Sequence, residues 1–206
     1  MGRPRTASDD DILDAAARAI SRAGPGRLTL ASVAAEVGIT AAAILQRFGS
    51  KHGLLLALSR RGTVEAAGAV AAALDAGRRR SPLEALDSLL TAGLESIESA
   101  EVLANHVGML QLDLTDAELR LEARRHAATT LGGIEQLLDR AVAAGELVAP
   151  GDGDVHLDCA RLADAVNCTY NGALVTWALT PRGPLPRWVR EQIAELLRPY
   201  RASARS

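Results

Sequence analysis

The residues of this chain that could coordinate a metal ion lie in and beside one short stretch, Asp152-Gly-Asp154-Val-His156. The stretch begins like a calcium-binding loop, but it lacks the glycine expected at the sixth position and the glutamate expected at the twelfth. His156 and Cys159 are spaced i, i+3 and could form half of a metal site, yet no further ligand follows nearby. Ordinary positions on a helix surface are the favoured interpretation, so we predict no metal site and no cofactor.

Catalytic motifs are absent from the sequence. It contains no G-x-S-x-G, H-E-x-x-H, P-loop or G-x-G-x-x-G pattern and no Cys-x-x-Cys pair. His126 stands alone, as a structural or solvated histidine does. Cys159 and Cys168 lie on one predicted helix, largely on opposite faces and roughly 13 Å apart along its axis, so no disulfide joins them. We therefore predict a reduced, cytoplasmic chain that has no catalytic residues and is not an enzyme.

Charge is distributed unevenly along the 206 residues. Residues 1–62 carry nine Lys and Arg against five Asp and Glu, a net charge of +4, whereas residues 63–206 carry fourteen against twenty, a net charge of −6. A basic first part followed by an acidic remainder indicates a polyanionic partner for the first part only. No apolar run approaches 18 residues and the N-terminus lacks an apolar stretch, so neither a membrane span nor a signal peptide is expected.

The stretch from Thr29 to Lys51 has the pattern of a helix-turn-helix. Thr29 and Thr40 each stand where a helix would begin and can cap it, and Gly38 suits the left-handed residue that ends the first helix. Apolar residues share one face in each of the two segments: Leu30, Val33, Ala34 and Val37 in the first, and Ile44, Leu45 and Phe48 in the second. A purely structural hairpin of two helices is the alternative that this motif alone leaves open.

Phe48-Gly49-Ser50-Lys51, followed by Leu54-Leu55-Leu56, extends this motif into a further helix. Over about residues 8 to 60 the sequence resembles the helix-turn-helix of tetracycline-repressor (TetR) family transcription regulators. The resemblance implies a homodimer with a DNA-binding head and a body that encloses a small-molecule pocket. It also implies repression of transcription, relieved when a ligand alters the spacing of the two heads. Lys51 matches the family's phosphate-contacting lysine, with chance as the alternative, and Leu45 stands where the family commonly has tyrosine.

Capping and breaking residues predict an all-α fold, with a three-helix N-terminal helix-turn-helix domain at residues 1–62, an arm at 1–7, and a helical C-terminal domain at residues 63–206. The resemblance implies that the N-terminal domain binds DNA and that the C-terminal domain binds a ligand and forms the dimer. Ser8 and Ser50 cap helices, Gly24-Pro25-Gly26 stops the first helix, and Thr115 to Glu118 reads as a capping box. The predicted helices outside the helix-turn-helix are 8–23, 51–77, 82–98, 101–110, 115–145, 154–179 and 186–198.

The candidate recognition helix is poor in groups that read bases. Gln46 could pair with adenine, and Thr40 or alanine methyl groups could meet thymine methyls, so specificity is expected to depend on DNA shape as well. A basic N-terminal arm could reach the minor groove or phosphates, although a plain disordered terminus is an equal alternative. The predicted DNA-binding residues are Arg3, Arg5, Thr29, Thr40, Ala41, Ala42, Ala43, Gln46, Arg47 and Lys51.

Two further sets of residues are predicted in the C-terminal part. Stripes on the last two helices predict the dimer interface, or else face the monomer's own core: Ala160, Asn167, Asn171, Leu174, Ala178, Ile193, Leu196 and Leu197. Polar and aromatic residues in apolar helices predict a pocket for a largely hydrophobic ligand, with a filled core as the alternative: Asn105, His106, Met109, Leu110, Tyr170 and Trp177.

The sequence thus predicts a DNA-binding transcriptional regulator. We expect a repressor that binds an inverted-repeat operator in double-stranded DNA as a homodimer and leaves it when a small hydrophobic effector binds. That it represses and does not activate rests on analogy with the family alone. The alternative is a helical protein-interaction module with little affinity for DNA.

Overall fold

A computed structural model describes residues 7–150 and 156–202, and its regular structure is helical. Arg3 and Arg5, like Asp152 and Asp154, lie outside the described residues. The α-helices in chain order are α1 (Asp9–Arg27), α2 (Leu30–Val37), α3 (Ala41–Phe48), α4 (Lys51–Arg79), α5 (Pro82–Thr91), α6 (Ala100–Thr115), α7 (Ala117–Ala143), α8 (Cys159–Leu179) and α9 (Leu185–Leu197).

Only short elements supplement these helices in the described ranges. Two 3₁₀-helices cover Leu94–Ser96 and Arg198–Tyr200. A single antiparallel bridge joins Leu147 to Arg201, and no strand forms around it in the described part of the chain. The predicted all-α fold is confirmed.

Local caps define the first helices as the sequence predicted. The Ser8 hydroxyl accepts the N–H of Asp11, whose carboxylate in turn accepts the N–H of Ser8, so a capping box begins α1. Thr29 caps α2 in the same reciprocal way with Ser32. Ser50 accepts the N–H of Gly53 at 2.9 Å in the first turn of α4. Each cap satisfies an N–H that has no partner within its helix.

Contacts divide the chain into two compact units. The first unit comprises Met1–Val64 and Glu101–His126, and the second comprises Glu65–Ala100 and Ala127–Ser206. This division falls close to the predicted boundary after residue 62, but it adds Glu101–His126 to the N-terminal part. The assignment of DNA binding to one part and ligand binding to the other stays a prediction.

The first unit has a continuous apolar core formed by α1 to α4 and α7. Its fully buried side chains are Ile12, Ala15, Ala16, Val33, Ile44 and Leu54. Leu119 of α7 adds a seventh side chain, only 1% exposed. The buried Glu122 of α7 accepts from Arg60 of α4 and from Arg125, and these pairings neutralise a carboxylate that would otherwise be costly to bury.

The second unit is built around α7, α8 and α9. Ile134, Leu137, Leu138 and Ala141 of α7 are fully buried. Two tryptophans pack α8 and α9: the Trp188 indole donates to the carbonyl of Ala173, and the Trp177 indole donates to that of Gly183, both at 3.0 Å. These bonds satisfy the polar end of each indole while the rings bury apolar area.

Several predicted helix ends were wrong. The first helix continues beyond Gly24, where φ is 75°, and forms one more turn up to Arg27. The helix that begins at Pro82 ends at Thr91 and not near residue 98, whereas α6 continues beyond Leu110 to Thr115. Asp116, not Thr115, caps α7, because the Thr115 hydroxyl bonds to the carbonyl of Gln111 within α6.

Candidate functional site

Helices α2 and α3 form the predicted helix-turn-helix. Their axes are bent by 111° across a turn at Gly38, which adopts the left-handed conformation with φ 74°. The N–H of Gly38 bonds to Ala34, and that of Ile39 bonds to Ala34 as well, so the turn closes α2 tightly. Thr40 then caps α3 by accepting the N–H of Ala43 at 3.2 Å. A bend of this size is typical of helix-turn-helix motifs.

One face of α3 is directed to solvent and the opposite face is fixed in the core. Ile44 is fully buried, and Ala41 packs against the same core. Ala42 and Gln46 are exposed, and Leu45 is 49% exposed. The outward face therefore combines one amide with apolar groups, which is the combination that contacts adenine and thymine methyls in a major groove.

Arg47 differs from the other exposed residues of α3 because its side chain bonds to residues near the start of α1. Its guanidinium donates to the carbonyl of Ala7 and lies 3.4 Å from a carboxylate oxygen of Asp9. Ala7 and Asp9 flank the cap of α1, so Arg47 connects the end of α3 to the start of α1. These contacts give Arg47 a structural role that requires no contact with a DNA base.

Lys51 lies at the start of α4, beside the last turn of α1. Its ammonium donates to the carbonyl of Gly26 at 3.3 Å. Arg27, the last residue of α1, is exposed and has no ion-pair partner among the described residues. Thr29, also exposed, uses its hydroxyl to cap α2. Sequence reasoning missed Arg27; its basic charge just before a helix cap was the available signal.

Acidic groups near this surface are already paired. Glu36 of α2 accepts from Arg22 at 2.5 Å and from Arg18 at 2.6 Å, both on α1. Hydrogen bonds from Arg22, then Arg18, hold the pKa of the Glu36 carboxyl below its usual range. Asp14 likewise accepts from Arg61 at 2.6 Å. These pairs join helices of the first unit, while Lys51 and Arg27 have no carboxylate partner in the described ranges.

The residues predicted to form a dimer interface fall into two groups. Ala160 and Asn171 are exposed on α8, and Asn167, Leu174, Ala178 and Leu196 are half-buried. Ile193 and Leu197 of α9 are instead 6% and 2% exposed within their own unit. The burial of Ile193 and Leu197 fits the alternative interpretation, in which the stripe faces the monomer's own core. Leu179 of α8, which is not among the predicted interface residues, is 78% exposed.

The residues predicted to line a ligand pocket belong to different units. Asn105 donates to the carbonyl of Ser21, Met109 packs on the apolar core of the first unit, and His106 bonds to its own helix at Val102. Leu110 is exposed. Tyr170 and Trp177 lie in the second unit, where Trp177 is only 5% exposed, and burial raises the pKa of the Tyr170 hydroxyl. Their role in ligand binding stays a prediction.

Two cavities in the second unit are lined by none of these six residues. A cavity of about 380 Å³ lies between α4 and α5, and its walls are mostly alanine, including Ala69, Ala72, Ala73 and Ala76. A wider cleft of about 1040 Å³ borders α5 and α9 and adjoins the first at Arg80, Glu84 and Ser88. The smaller cavity is in the size range of small-molecule sites, and its walls are mostly apolar, with Arg80, Glu84 and Ser88 on the side of the cleft.

No three candidate metal ligands come together in the described part of the chain. Cys159 and Cys168 are free thiols, and Cys159 is buried. Burial, followed by hydrogen bonding to Asp139, raises the pKa of the Cys159 thiol to about 12. No single helix in the described ranges is long and apolar enough to cross a membrane; by length and composition only the bent pair α2 and α3 passes that test.

Comparison with known proteins agrees with the geometry of the helix-turn-helix. The sequence profile described as "Bacterial regulatory proteins, tetR family" matches residues 12–58. The HTH-type transcriptional regulator BetI of Brucella anthropi is 30% identical over 174 residues, which cover 80% of this chain and 88% of that protein. The chain belongs to the tetR family. Proteins of this family are DNA-binding transcriptional regulators and not enzymes.

Solved structures show that the tetR fold extends over almost the whole chain. SmeT, the repressor of the Stenotrophomonas maltophilia multidrug efflux pump SmeDEF, superposes with a TM-score of 0.71 at 21% identity, over 98% of this chain and 94% of its own. FadR of Bacillus subtilis, solved in complex with stearoyl-CoA, superposes with a TM-score of 0.72 at 17% identity, over 92% and 98%. At 21% and 17% identity, these superpositions show a shared fold and carry no conclusion about ligands or targets.

Proposed function

We propose that this tetR-family protein is a repressor that binds an inverted-repeat operator as a homodimer and is released by a small hydrophobic ligand. The observation that carries DNA binding is the outward face of α3, where Ala42, Leu45 and Gln46 are exposed opposite the fully buried Ile44. Since its partner would be chromosomal DNA, we place the protein in the cytoplasm.

Phosphate contacts are proposed for the cations beside the helix-turn-helix. Lys51 and Arg27 flank Gly26 and are not neutralised by carboxylates of the described residues. An N–H group or cation at such a place fixes the register of a protein on the duplex without reading sequence. We assign Arg47 a supporting role, because Ala7 and Asp9 already engage it.

Replacing Lys51 by alanine tests the phosphate contact. Each neutralised phosphate contributes about 0.9 to the slope of log affinity against log salt. Fluorescence anisotropy with a 30-base-pair duplex of arbitrary sequence should give a slope smaller by about 1 per subunit for Lys51→Ala. Arg78→Ala, which removes an exposed charge from the second unit, is the matched control and should keep the wild-type slope. Equal slopes for Lys51→Ala and wild type would refute the contact.

The effector is proposed to bind in the second unit. The alanine-lined cavity of about 380 Å³ favours a largely hydrophobic molecule, as does the neighbourhood of Tyr170 that the sequence suggested. FadR of Bacillus subtilis was solved with stearoyl-CoA, a ligand with a long apolar chain. What the cavity shares with that ligand is apolar character, since its walls are mostly alanine and the stearoyl part of the ligand is a hydrocarbon chain.

A thermal-shift screen of small hydrophobic metabolites and drugs tests the effector proposal. A ligand present at 100 times its dissociation constant stabilises the folded state by about 2.7 kcal/mol. Ala76→Leu fills the cavity and should abolish the shift if the ligand binds there, whereas Tyr170→Ala should abolish it if the predicted pocket is correct. A ligand that stabilises wild type and both variants equally, or that leaves DNA affinity unchanged, would contradict the proposal.

A further inference from the structure

The alanine-lined cavity of the second unit lies along the pair of helices formed by α4 and α5. Only Arg80 and Ser81 separate these helices, and so short a connection makes neighbouring helices antiparallel. Arg80 therefore lies at the end of the cavity where the chain turns, and Ala69 and Ala92 lie at the opposite end. At about 1.5 Å per residue, residues 69–80 span roughly 16 Å. A volume of about 380 Å³ spread over that length is narrow, which favours an unbranched chain as the occupant.

Apolar and charged side chains occupy different ends of this cavity. Apart from Leu89, the walls away from the turn are alanine. The charged residues, Arg80 and Glu84, lie at the turn and also border the wider cleft. Ser88, one helical turn beyond Glu84, already donates its hydroxyl to the Glu84 carbonyl at 2.9 Å. A molecule that fits is therefore apolar over most of its length and polar at the end that meets the cleft.

Two of the acidic groups that border the cleft are already engaged within the second unit. Asp87 accepts from the Arg190 guanidinium at 2.8 and 3.0 Å. Glu146 accepts the Ser81 hydroxyl at 2.9 Å and the N–H of Leu83 at 3.1 Å. Neither carboxylate is the charge that a ligand entering from the cavity would meet without a partner.

Three charged side chains of the cavity and cleft have no ion-pair or hydrogen-bond partner among the described residues, namely Arg80, Arg201 and Glu84. All three are exposed. Two guanidinium groups against one carboxylate favour a ligand with an anionic end group. Guanidinium groups suit this role because their planar N–H donors match the oxygens of a carboxylate.

We propose that the cavity and the cleft together bind an amphipathic anion, with its unbranched apolar chain against the alanines and its carboxylate at Arg80. The proposal rests on the proposed function, because it names the chemical class of the effector. The apolar chain contributes affinity by leaving water. Arg80 discriminates between end groups of opposite charge.

Isothermal titration calorimetry of the full chain with three amphiphiles of equal chain length tests the charge of the end group. Near neutral pH decanoate is an anion, decylamine is a cation and 1-decanol is uncharged. Below their micelle-forming concentrations, decanoate should bind about three- to fivefold more tightly than decanol, the effect of an exposed ion pair. Decylamine should bind more weakly than decanol, because Arg80 repels it.

Arg80→Gln removes the charge at an exposed position just after the end of α4. It should lower the affinity for decanoate to that for decanol and leave the affinity for decanol unchanged. Arg78→Gln is the matched control, because Arg78 is exposed on α4 and lines neither the cavity nor the cleft. Ala76→Leu, which fills the cavity, should weaken the binding of all three amphiphiles.

An affinity for decylamine equal to or higher than that for decanoate would overturn the proposal. So would an unchanged affinity for decanoate in Arg80→Gln or in Ala76→Leu. If none of the three amphiphiles binds, the proposal fails, and a different hydrophobic ligand found by the thermal-shift screen would still support the proposed function. Binding of decanoate that depends on Arg80 but leaves DNA affinity unchanged would support the site and contradict the effector role.

Discussion

Asn105 donates from its side-chain amide to the carbonyl of Ser21 at 2.9 Å. In a regular helix that carbonyl would accept the N–H of residue 25, but Pro25 has none. Asn105 thus supplies the donor that the proline lacks. Its side-chain amide therefore already has a hydrogen-bond partner within the first unit. The Arg47 guanidinium likewise already has partners, the carbonyl of Ala7 and the carboxylate of Asp9. Partners distant in sequence decide the role of both residues.

Gln46 is the residue of α3 most suited to read a base. It is exposed, and its amide can donate to and accept from adenine in the major groove. Gln46→Ala should relax the preference at one position of each half-site, at a cost of about 1–3 kcal/mol against the preferred base. Sequencing of duplexes selected by the mutant and by wild type measures the change.

Gln111→Ala is the control for this substitution, because Gln111 is an exposed glutamine on α6 of the same unit. The control should select the same sequences as wild type. The assignment of Gln46 would be wrong if its alanine variant also gave an unchanged binding-site profile.

At the scale of helices, the end of α1 and the start of α4 are shaped by close approaches at glycine residues. Gly24 interrupts α1 with a positive φ, and a Cβ atom at Gly108 of α6 would lie 3.1 Å from Pro25. Gly53 brings α4 against the carbonyl of Phe48. Glycine allows these contacts because a side chain would occupy the same space.

Two glycines of α4 give a matched test of this account. At Gly53 a Cβ atom would meet the Phe48 carbonyl oxygen at 2.0 Å, whereas at Gly62 it would meet nothing within 4 Å. Gly53→Ala should lower stability by about 1–3 kcal/mol through overpacking. Gly62→Ala should raise it by about 1 kcal/mol through helix propensity. Midpoints of thermal unfolding measure both, and a stable Gly53→Ala protein would contradict the close approach.

The elements that depend on local sequence were predicted, and those that depend on distant contacts were not. Caps at Ser8, Thr29, Thr40 and Ser50 join residues three apart, so their patterns are visible in the sequence. The continuation of α1 beyond Gly24 was missed, since the Asn105 side chain that bonds to its end is 84 residues away from Ser21.

The candidate site shows the same limit. The exposure of Gln46 follows from helical periodicity, because Ile44 must face the core. The hydrogen bond between Arg47 and Ala7 joins residues 40 positions apart, so no local sequence pattern predicts it. The predicted ligand set likewise combined residues of α6 with Tyr170 and Trp177 of α8, because periodicity identifies a helix face and not the element that covers it.

At the scale of the whole molecule, charge is distributed asymmetrically between the first 62 residues and the rest of the chain. Residues 1–62 have a net charge of +4 and residues 63–206 a net charge of −6. The basic part attracts a polyanion, and the acidic part is repelled by it. Exposed apolar residues on α8, Val175 at 44% and Leu179 at 78%, are consistent with a second copy of the chain as a further partner.

Selection of duplexes from a randomised DNA library by the purified protein tests the central claim most directly. A symmetric dimer that presents two α3 helices should enrich an inverted repeat whose half-site centres lie roughly 34–36 Å apart, or a multiple of that distance. A recovered pool with the same sequence distribution as the starting library would contradict the claim and favour a protein-interaction module.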